Sequence, residues 1–454
     1  MTPDERPEVR SPADEARALR ARLRGLRGPG SYAAARAAAA DAVAALESTG
    51  ATPSLAVALI ELGRRHDDLG ETEAAERRYA EAASVAEVAS DSQATRAEAL
   101  ARLAGSAQFL GRVEESRGLV DRALAILDAI PEPPSEIATE VLAEAARIRV
   151  EQGDDEGAGR LIDRASRAAD AVAGGHEHDA ARMLVEATRG LVHRARGRFV
   201  DAEIALKAAL DAAEAAFGPS SLEAAGILND LGMIYKYAGR FADGEASYHR
   251  AGAILEAVDP DHPDLASINH NLGGIAHARG DFAAAEGPAR RAVELRERAL
   301  GADHVVTVLD RAAYAAILDA LGRTDEAEAI LRTAIDRLEQ ALGPDHHELA
   351  AAINNLAAIV QRRGALDDAA ALHEQAIAIK ERALGPSSPA VAASLINLGV
   401  IRRRQGQLEE AERCYRRAIS LLEPAVEEGH PHLAAARKNL AVILEASGRG
   451  QQDQ

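Results

Sequence analysis

SLINLGVIRRRQGQLEEAERCYRRAISLLEPA, residues 394–425, holds the plan of the whole chain. Leu395, Leu398 and Ile401 recur at helical spacing before Gly406; Leu408, Ala411, Tyr415, Ala418 and Leu421 do the same after it. A glycine between two such stripes can take positive φ and end the first helix. The segment reads as two amphipathic helices joined by a tight turn.

Working outward, the same glycine recurs as Gly70, Gly111, Gly153, Gly197, Gly239, Gly280, Gly322, Gly364, Gly406 and Gly448, at intervals of 41 to 44 residues. Five residues after each of the first nine sits a small residue, from Ala75 and Ser116 through Gly244 to Ala411. Twelve residues after each sits alanine without exception, from Ala82 to Ala418. Gly30 extends the series backwards, with Tyr32, Ala35 and Ala42 on the expected offsets. The count is ten helix pairs, the first degenerate, and a closing helix. Small residues at fixed offsets let paired helices approach closely. Each pair leaves an apolar face that only a neighbouring pair can cover, so the units must stack. The expected fold is all-α: a superhelical solenoid of about ten helix-turn-helix repeats with a closing C-terminal helix and a long concave face.

Composition agrees. Hydrophobic residues make up 47% of the 454, yet aromatics only 3%, with no Trp. Alanine favours helices and fills little volume, which suits thin helix pairs over one large core. The net charge of −19 argues against nucleic acid as a partner, because phosphate binding needs a basic surface. The imbalance is local: residues 51–350 hold 32 basic and 53 acidic side chains (net −21), whereas residues 351–454 hold 13 and 12 (net +1). Cys414 is the only cysteine, so no intrachain disulfide forms. No apolar run is long enough to span a bilayer, and the N-terminus lacks the hydrophobic stretch of a signal peptide. The expectation is a cytoplasmic protein without membrane insertion.

These residues resemble the tetratricopeptide repeat family. The match lies in Leu231-Gly232, Leu272-Gly273 and Leu398-Gly399, each followed by the turn glycine and the two small positions. The 42-residue period and linkers such as LGPDHHELAAAINNLA (342–357) look like its kinesin-light-chain subtype. Arg189, Ala145 and Tyr314 depart from the family pattern. The resemblance implies a right-handed superhelix. It divides the chain into a disordered tail (1–13), divergent N-terminal helical repeats (14–216) and C-terminal kinesin-light-chain-like repeats (217–450).

The family's concave groove is lined by the first helix of each pair, where asparagines hold an extended peptide. The matching position, nine residues before the turn glycine, carries Asn271, Asn355, Asn397 and Asn439, with Asn354 adjacent. An amide both donates and accepts, as a peptide unit does. Helices packed about 10 Å apart match roughly three residues of extended peptide. The alternative is that the asparagines bond within the stack. The N-terminal repeats carry Glu61, Arg102, Glu144 and Thr188 at this position. Arg362 and Arg404 share one register, two residues before their glycines, and Arg403 lies beside Arg404. They point to a basic groove for an acidic or carboxylate-bearing segment, or else to solvated helix ends complementing the dipole.

His262, His304, His346 and His430 recur in the linkers, too far apart for one metal ion, and read as packing and capping residues. Gly175-His176-Glu177-His178-Asp179 lacks a second ligand group. Cys414 reads as a small buried residue inside a helix. No catalytic set, metal site or cofactor motif emerges, and the chain is expected not to be an enzyme. Two functions remain. One is an adaptor or scaffold gripping a protein or peptide segment; the other is a ligand- or peptide-sensing solenoid acting on a separate effector.

Overall fold

The computed structural model describes residues 11–24, 32–49, 52–68, 71–88, 92–110, 112–424 and 431–446. Gly30, Gly70, Gly111, Gly448, His430 and most of the expected N-terminal tail lie outside them. The regular structure of the described residues is helical: α1 Pro12–Arg24, α2 Tyr32–Thr49, α3 Thr52–Asp67, α4 Thr72–Val88, α5 Gln93–Phe109, α6 Val113–Asp128, α7 Ser135–Glu151, α8 Asp155–Asp170, α9 His176–Ala195, α10 Phe199–Phe217, α11 Leu222–Tyr237, α12 Phe241–Val258, α13 Leu265–Ala278, α14 Phe282–Leu300, α15 Val305–Ala320, α16 Thr324–Leu342, α17 His347–Arg362, α18 Leu366–Leu384, α19 Ala392–Arg404, α20 Leu408–Leu422 and α21 Pro431–Ala446. One 3-10 turn, Pro389–Val391, precedes α19. From α3 onward the odd-numbered helices are the first of each pair.

The turn glycines behave as their spacing demands. Gly153, Gly197, Gly239, Gly280, Gly322, Gly364 and Gly406 take φ between +69° and +85°. At Gly406 the Gln407 N–H donates to the Arg402 carbonyl at 2.9 Å and the Gly406 N–H to the Arg403 carbonyl at 3.1 Å. That is the paired closure of a left-handed helix end, and it satisfies carbonyls the helix leaves over. A second glycine series was not read from the sequence. Gly218, Gly301, Gly343 and Gly385 take φ between +85° and +91° and end the second helices.

The small positions are packing positions. Ala75, Ser116, Ala158, Ala202, Ala285, Ala327, Ala369 and Ala411 are all fully buried, and the alanine at the later offset is at most 3% exposed from Ala82 to Ala418. A third small position lies seven residues before the turn and faces a side chain nine residues after it. Where it is glycine, an aromatic ring can fill the gap. A Cβ on Gly232 would lie 2.5 Å from the Tyr248 ring, and one on Gly399 2.7 Å from the Tyr415 ring. Gly63 and Tyr79 form the same pair. Where alanine stands there, the knob is smaller: Leu331 accompanies Ala315, and both are fully buried.

The chain divides into two units. Unit 1 comprises residues through Ala195 with 200–231 and 250–262; unit 2 comprises 196–199, 232–249 and residues from Pro263 onward. In unit 1 a single apolar core runs from Leu23 to Val192. In unit 2 successive cores join α15 to α18 and α18 to α21.

The degenerate first pair departs from the repeat. α1 packs mainly on α3 and only marginally on α2. It buries Ala16, Arg20 and Leu23, one helical stripe with a guanidinium at its centre. Arg20 Nη2 lies 2.7 Å from Glu98 Oε2 on α5. α1 thus lies against the first-helix face of unit 1 instead of forming a hairpin with α2.

The ring-over-glycine contact makes a specific prediction. Gly399→Ala should destabilise by about 1–3 kcal/mol, since a ring and a neighbouring helix must both move. Adding Tyr415→Leu, which copies the Ala315–Leu331 pair, should recover part of that loss. Thermal melts of the single and double variants measure the coupling. Additive losses would mean that the two residues do not share one packing hole.

Candidate peptide-binding face

The asparagine register lies on the first helices of unit 2, on α13, α17, α19 and α21, but the four amides are engaged differently. Asn271 Oδ1 accepts from Lys236 Nζ at 3.5 Å. Burial lowers the pKa of that lysine. Asn355 Nδ2 donates to the Ala312 carbonyl on α15 at 3.4 Å, a bond between repeats. Asn397 is exposed and Asn439 half-buried. No side-chain hydrogen bond engages either amide among the described residues. The repeat between Asn271 and Asn355 carries Ala313 at this register.

Asn354 faces the other way. Its Nδ2 donates to Ser394 Oγ at 2.9 Å on α19, and its Oδ1 lies 2.8 Å from His373 Nδ1 on α18. With the amide oxygen as acceptor, His373 donates through Nδ1. Lys380 Nζ adds bonds to Ser394 Oγ at 3.3 Å and to the Ala390 carbonyl at 3.0 Å. This network ties three successive helices. Burial, with Lys380 nearby, lowers the His373 pKa to about 4, so the ring is neutral at pH 7. His373 occupies the knob position that is Tyr415 one repeat later.

The arginines divide as well. Arg362 ion-pairs with Asp319 at the end of α15, and Thr324 Oγ1 also donates to that buried carboxylate at 3.1 Å. Arg363 pairs with Asp325 and, at 2.5 Å, with Glu328. Arg402 pairs with Glu374 and, at 3.2 Å, with Glu410. Arg403 and Arg404 are exposed, and neither makes an ion pair or hydrogen bond among the described residues. The register explains the contrast. Asp319 stands 43 residues before Arg362, and 43 residues before Arg404 stands Gln361, which has no charge to offer.

In unit 1 the same register is ionic. Arg64 lies between Glu98 at 2.8 Å, Glu61 at 3.6 Å and Glu140. Arg102 reaches Glu140 at 3.3 Å, and Glu144 pairs with Arg147 at 2.6 Å. Asp67 accepts from the Tyr79 hydroxyl at 2.6 Å, and burial raises its pKa to about 6. Glu61, Arg102 and Glu144 are visible in the sequence as replacements for asparagine; their partners Arg64, Glu140 and Arg147, and the linked pair Arg20 and Glu98, are not.

The linker histidines serve the backbone. His304 and His346 accept from the N–H groups of Val306 and Glu348 and cap α15 and α17. His262 is buried with Nε2 3.0 Å from the Asp68 carbonyl. His176 packs edge-on against Phe217 at 5.0 Å. Cys414 is half-buried, and burial raises its thiol pKa. Among the described residues no three side chains could together hold a metal ion, and no helix is long and apolar enough to cross a membrane.

The sequence profile of the Tetratricopeptide repeat matches residues 179–243, 223–298, 266–339, 305–382, 348–424 and 390–452, together more than half of the chain. The chain belongs to the tetratricopeptide repeat family. Members of this family are typically protein-interaction scaffolds, and that coarse description applies here. Among solved structures, a Rap protein complexed with Competence and Sporulation Factor has a similar fold, with TM-score 0.53 and 12% identity over 78% of this chain and 99% of that one. The kinesin-light-chain TPR-like repeats of Podosopora anserina align at 24% identity over 42% of this chain and 90% of theirs, with TM-score 0.34. BtubC (BKLC) from P. vanneervenii aligns at 24% identity over 47% of this chain and 83% of its own, with TM-score 0.35. No curated protein matches the chain.

The buried imidazole gives a pH test. A histidine whose folded pKa lies below its unfolded value contributes stability that is full above about 6.5 and is lost as pH falls toward about 4. Lowering pH from 7.5 to 5 should therefore cost on the order of 2 kcal/mol through His373. His373→Gln should flatten that part of the pH–stability curve, measured by denaturant titration. An unchanged slope would mean that His373 is not buried neutral.

Proposed function

We propose that the first-helix face of α17, α19 and α21 holds an extended segment of a partner protein or peptide, with an acidic side chain or terminal carboxylate on Arg403 and Arg404. The observation carrying this reading is the pair of exposed guanidiniums at the end of α19 that no carboxylate among the described residues neutralises. Arginine forks suit carboxylates, and two in succession favour a bidentate, charge-assisted contact. The amides of Asn397 and Asn439, not engaged within the described chain, extend the face with groups that can both donate and accept. Asn355 is half-engaged at 3.4 Å and can turn to a ligand at small cost. Asn354 acts through the His373 network, fixing the spacing of α17, α18 and α19. Arg362 contributes less, because Asp319 already balances it. The change of local charge from −21 over residues 51–350 to +1 over 351–454 supports an acidic partner. Asn271 lies on the same register and extends the proposed face toward the start of unit 2.

The test begins with affinity capture from the source cell extract, followed by titration of the retained partner. Arg403→Glu with Arg404→Glu should weaken binding about tenfold or more and reduce its salt dependence. Asn397→Ala with Asn439→Ala should weaken it while melting curves stay at the parent value. Unchanged affinity in both double variants would place the contact elsewhere. Affinity losses matched by equal stability losses would make the asparagines structural.

A further inference from the structure

Unit 1 contains a cavity of about 440 Å³. α1 forms one wall through Arg17, Arg20 and Ala21; α7 supplies Glu136, Thr139 and Glu140; α9 and Phe217 complete it, with Arg64 and Arg102 on the inner side. The lining is divided in character. Met183, Leu184 and Phe217 give an apolar surface, whereas Arg20 and Arg64 bring buried guanidiniums. Those guanidiniums have more donors than the neighbouring carboxylates use. Arg20 Nη1 is buried without a hydrogen-bond partner among the described residues, while Arg64 Nε stands 3.6 Å from Glu61 Oε1. Arg17 is largely exposed, with only a 3.9 Å approach to Asp14. Glu136 and Glu177 line the cavity too, the first half-buried and the second exposed, and neither forms an ion pair among the described residues.

We infer that this cavity is a binding site for a small zwitterion with an apolar side chain, either a free amino acid or a very short peptide. Its carboxylate bonds Arg20 and Arg17, its apolar part lies on Leu184 and Phe217, and its ammonium faces Glu136 and Glu177. Three features exclude simpler occupants. A plain hydrocarbon would leave the arginine donors unmet. A simple anion would face Glu136, Glu140 and Glu177. A simple cation would face four arginines. The volume lies within the range of small-ligand pockets. Because α1 supplies a wall, occupancy also fastens α1 to α7 and α9, which no segment bound on α17–α21 requires.

The site is tested by isothermal titration of the full chain with leucine, phenylalanine, Leu-Leu and Phe-Leu. The comparison ligands are their N-acetylated and C-amidated forms, and octanoate. Saturable one-to-one binding is expected for at least one free zwitterion, with amidation or acetylation each weakening it tenfold or more. Strong binding by free amino acids but not dipeptides assigns the site to amino acids, and the reverse assigns it to peptides. Arg20→Met should abolish binding. Should that variant fail to fold, Ala180→Phe, which fills the cavity and leaves every charge in place, should abolish binding with normal circular dichroism. No binding of any zwitterion at millimolar concentration would overturn the proposal, as would octanoate binding equally well or unchanged affinity in Ala180→Phe.

Discussion

Helices in this protein must approach one another so closely that three positions per repeat tolerate only small residues. From Ala75 to Ala411 and from Ala82 to Ala418 those positions are buried almost to zero exposure. The remaining position is glycine beneath Tyr79, Tyr248 and Tyr415 and also beneath Leu206 and Ala289, and alanine beneath Leu331. Dispersion contacts at such distances are individually weak and collectively large, and they vanish quickly with separation. The turn glycines, the stacking of pairs and the register of every exposed side chain follow from this spacing. A site on the first helices is therefore positioned by alanines and tyrosines that never meet a ligand.

The same register carries two chemistries. In unit 2 it offers amides, ending beside two arginines that form no ion pair among the described residues. In unit 1 it offers charges that bind one another, and a helix from the start of the chain lies against them. Buried ion networks of this kind are costly to desolvate, so they add more to specificity of arrangement than to stability. Arg20 illustrates this: it sits in the middle of an otherwise apolar stripe, where leucine would be the ordinary choice for binding strength alone.

Periodicity made the repeat legible because backbone conformation and close packing act at fixed sequence offsets. Gly406 and Ala418 could be assigned their roles without coordinates. Side chains that reach between repeats were harder to read. Arg362 finds Asp319 from 43 residues away, and Asn354 finds His373 and Ser394 on two different helices. A register shows which residues share a face; it does not show which of them a long neighbour will neutralise. Gly30 and the alanines after it satisfy the offsets of a degenerate first pair, whereas the docking of α1 is decided by Arg20 and Glu98. Glycine ends four of the second helices, at Gly218, Gly301, Gly343 and Gly385, and Gly343 and Gly385 stand in Leu-Gly-Pro linkers, whereas α12 ends at Val258 without one.

The ring-over-glycine pairs bear on how such an array can change over evolutionary time. Gly232 with Tyr248 and Gly399 with Tyr415 are matched halves of one joint, and so are Ala315 and Leu331. Recombination that exchanges whole helix pairs keeps each joint intact, whereas a crossover at the turn glycine can set a tyrosine ring against alanine. Duplication, deletion and shuffling should therefore proceed in cassettes bounded by the linkers, and the array can lengthen or shorten without renegotiating its interior.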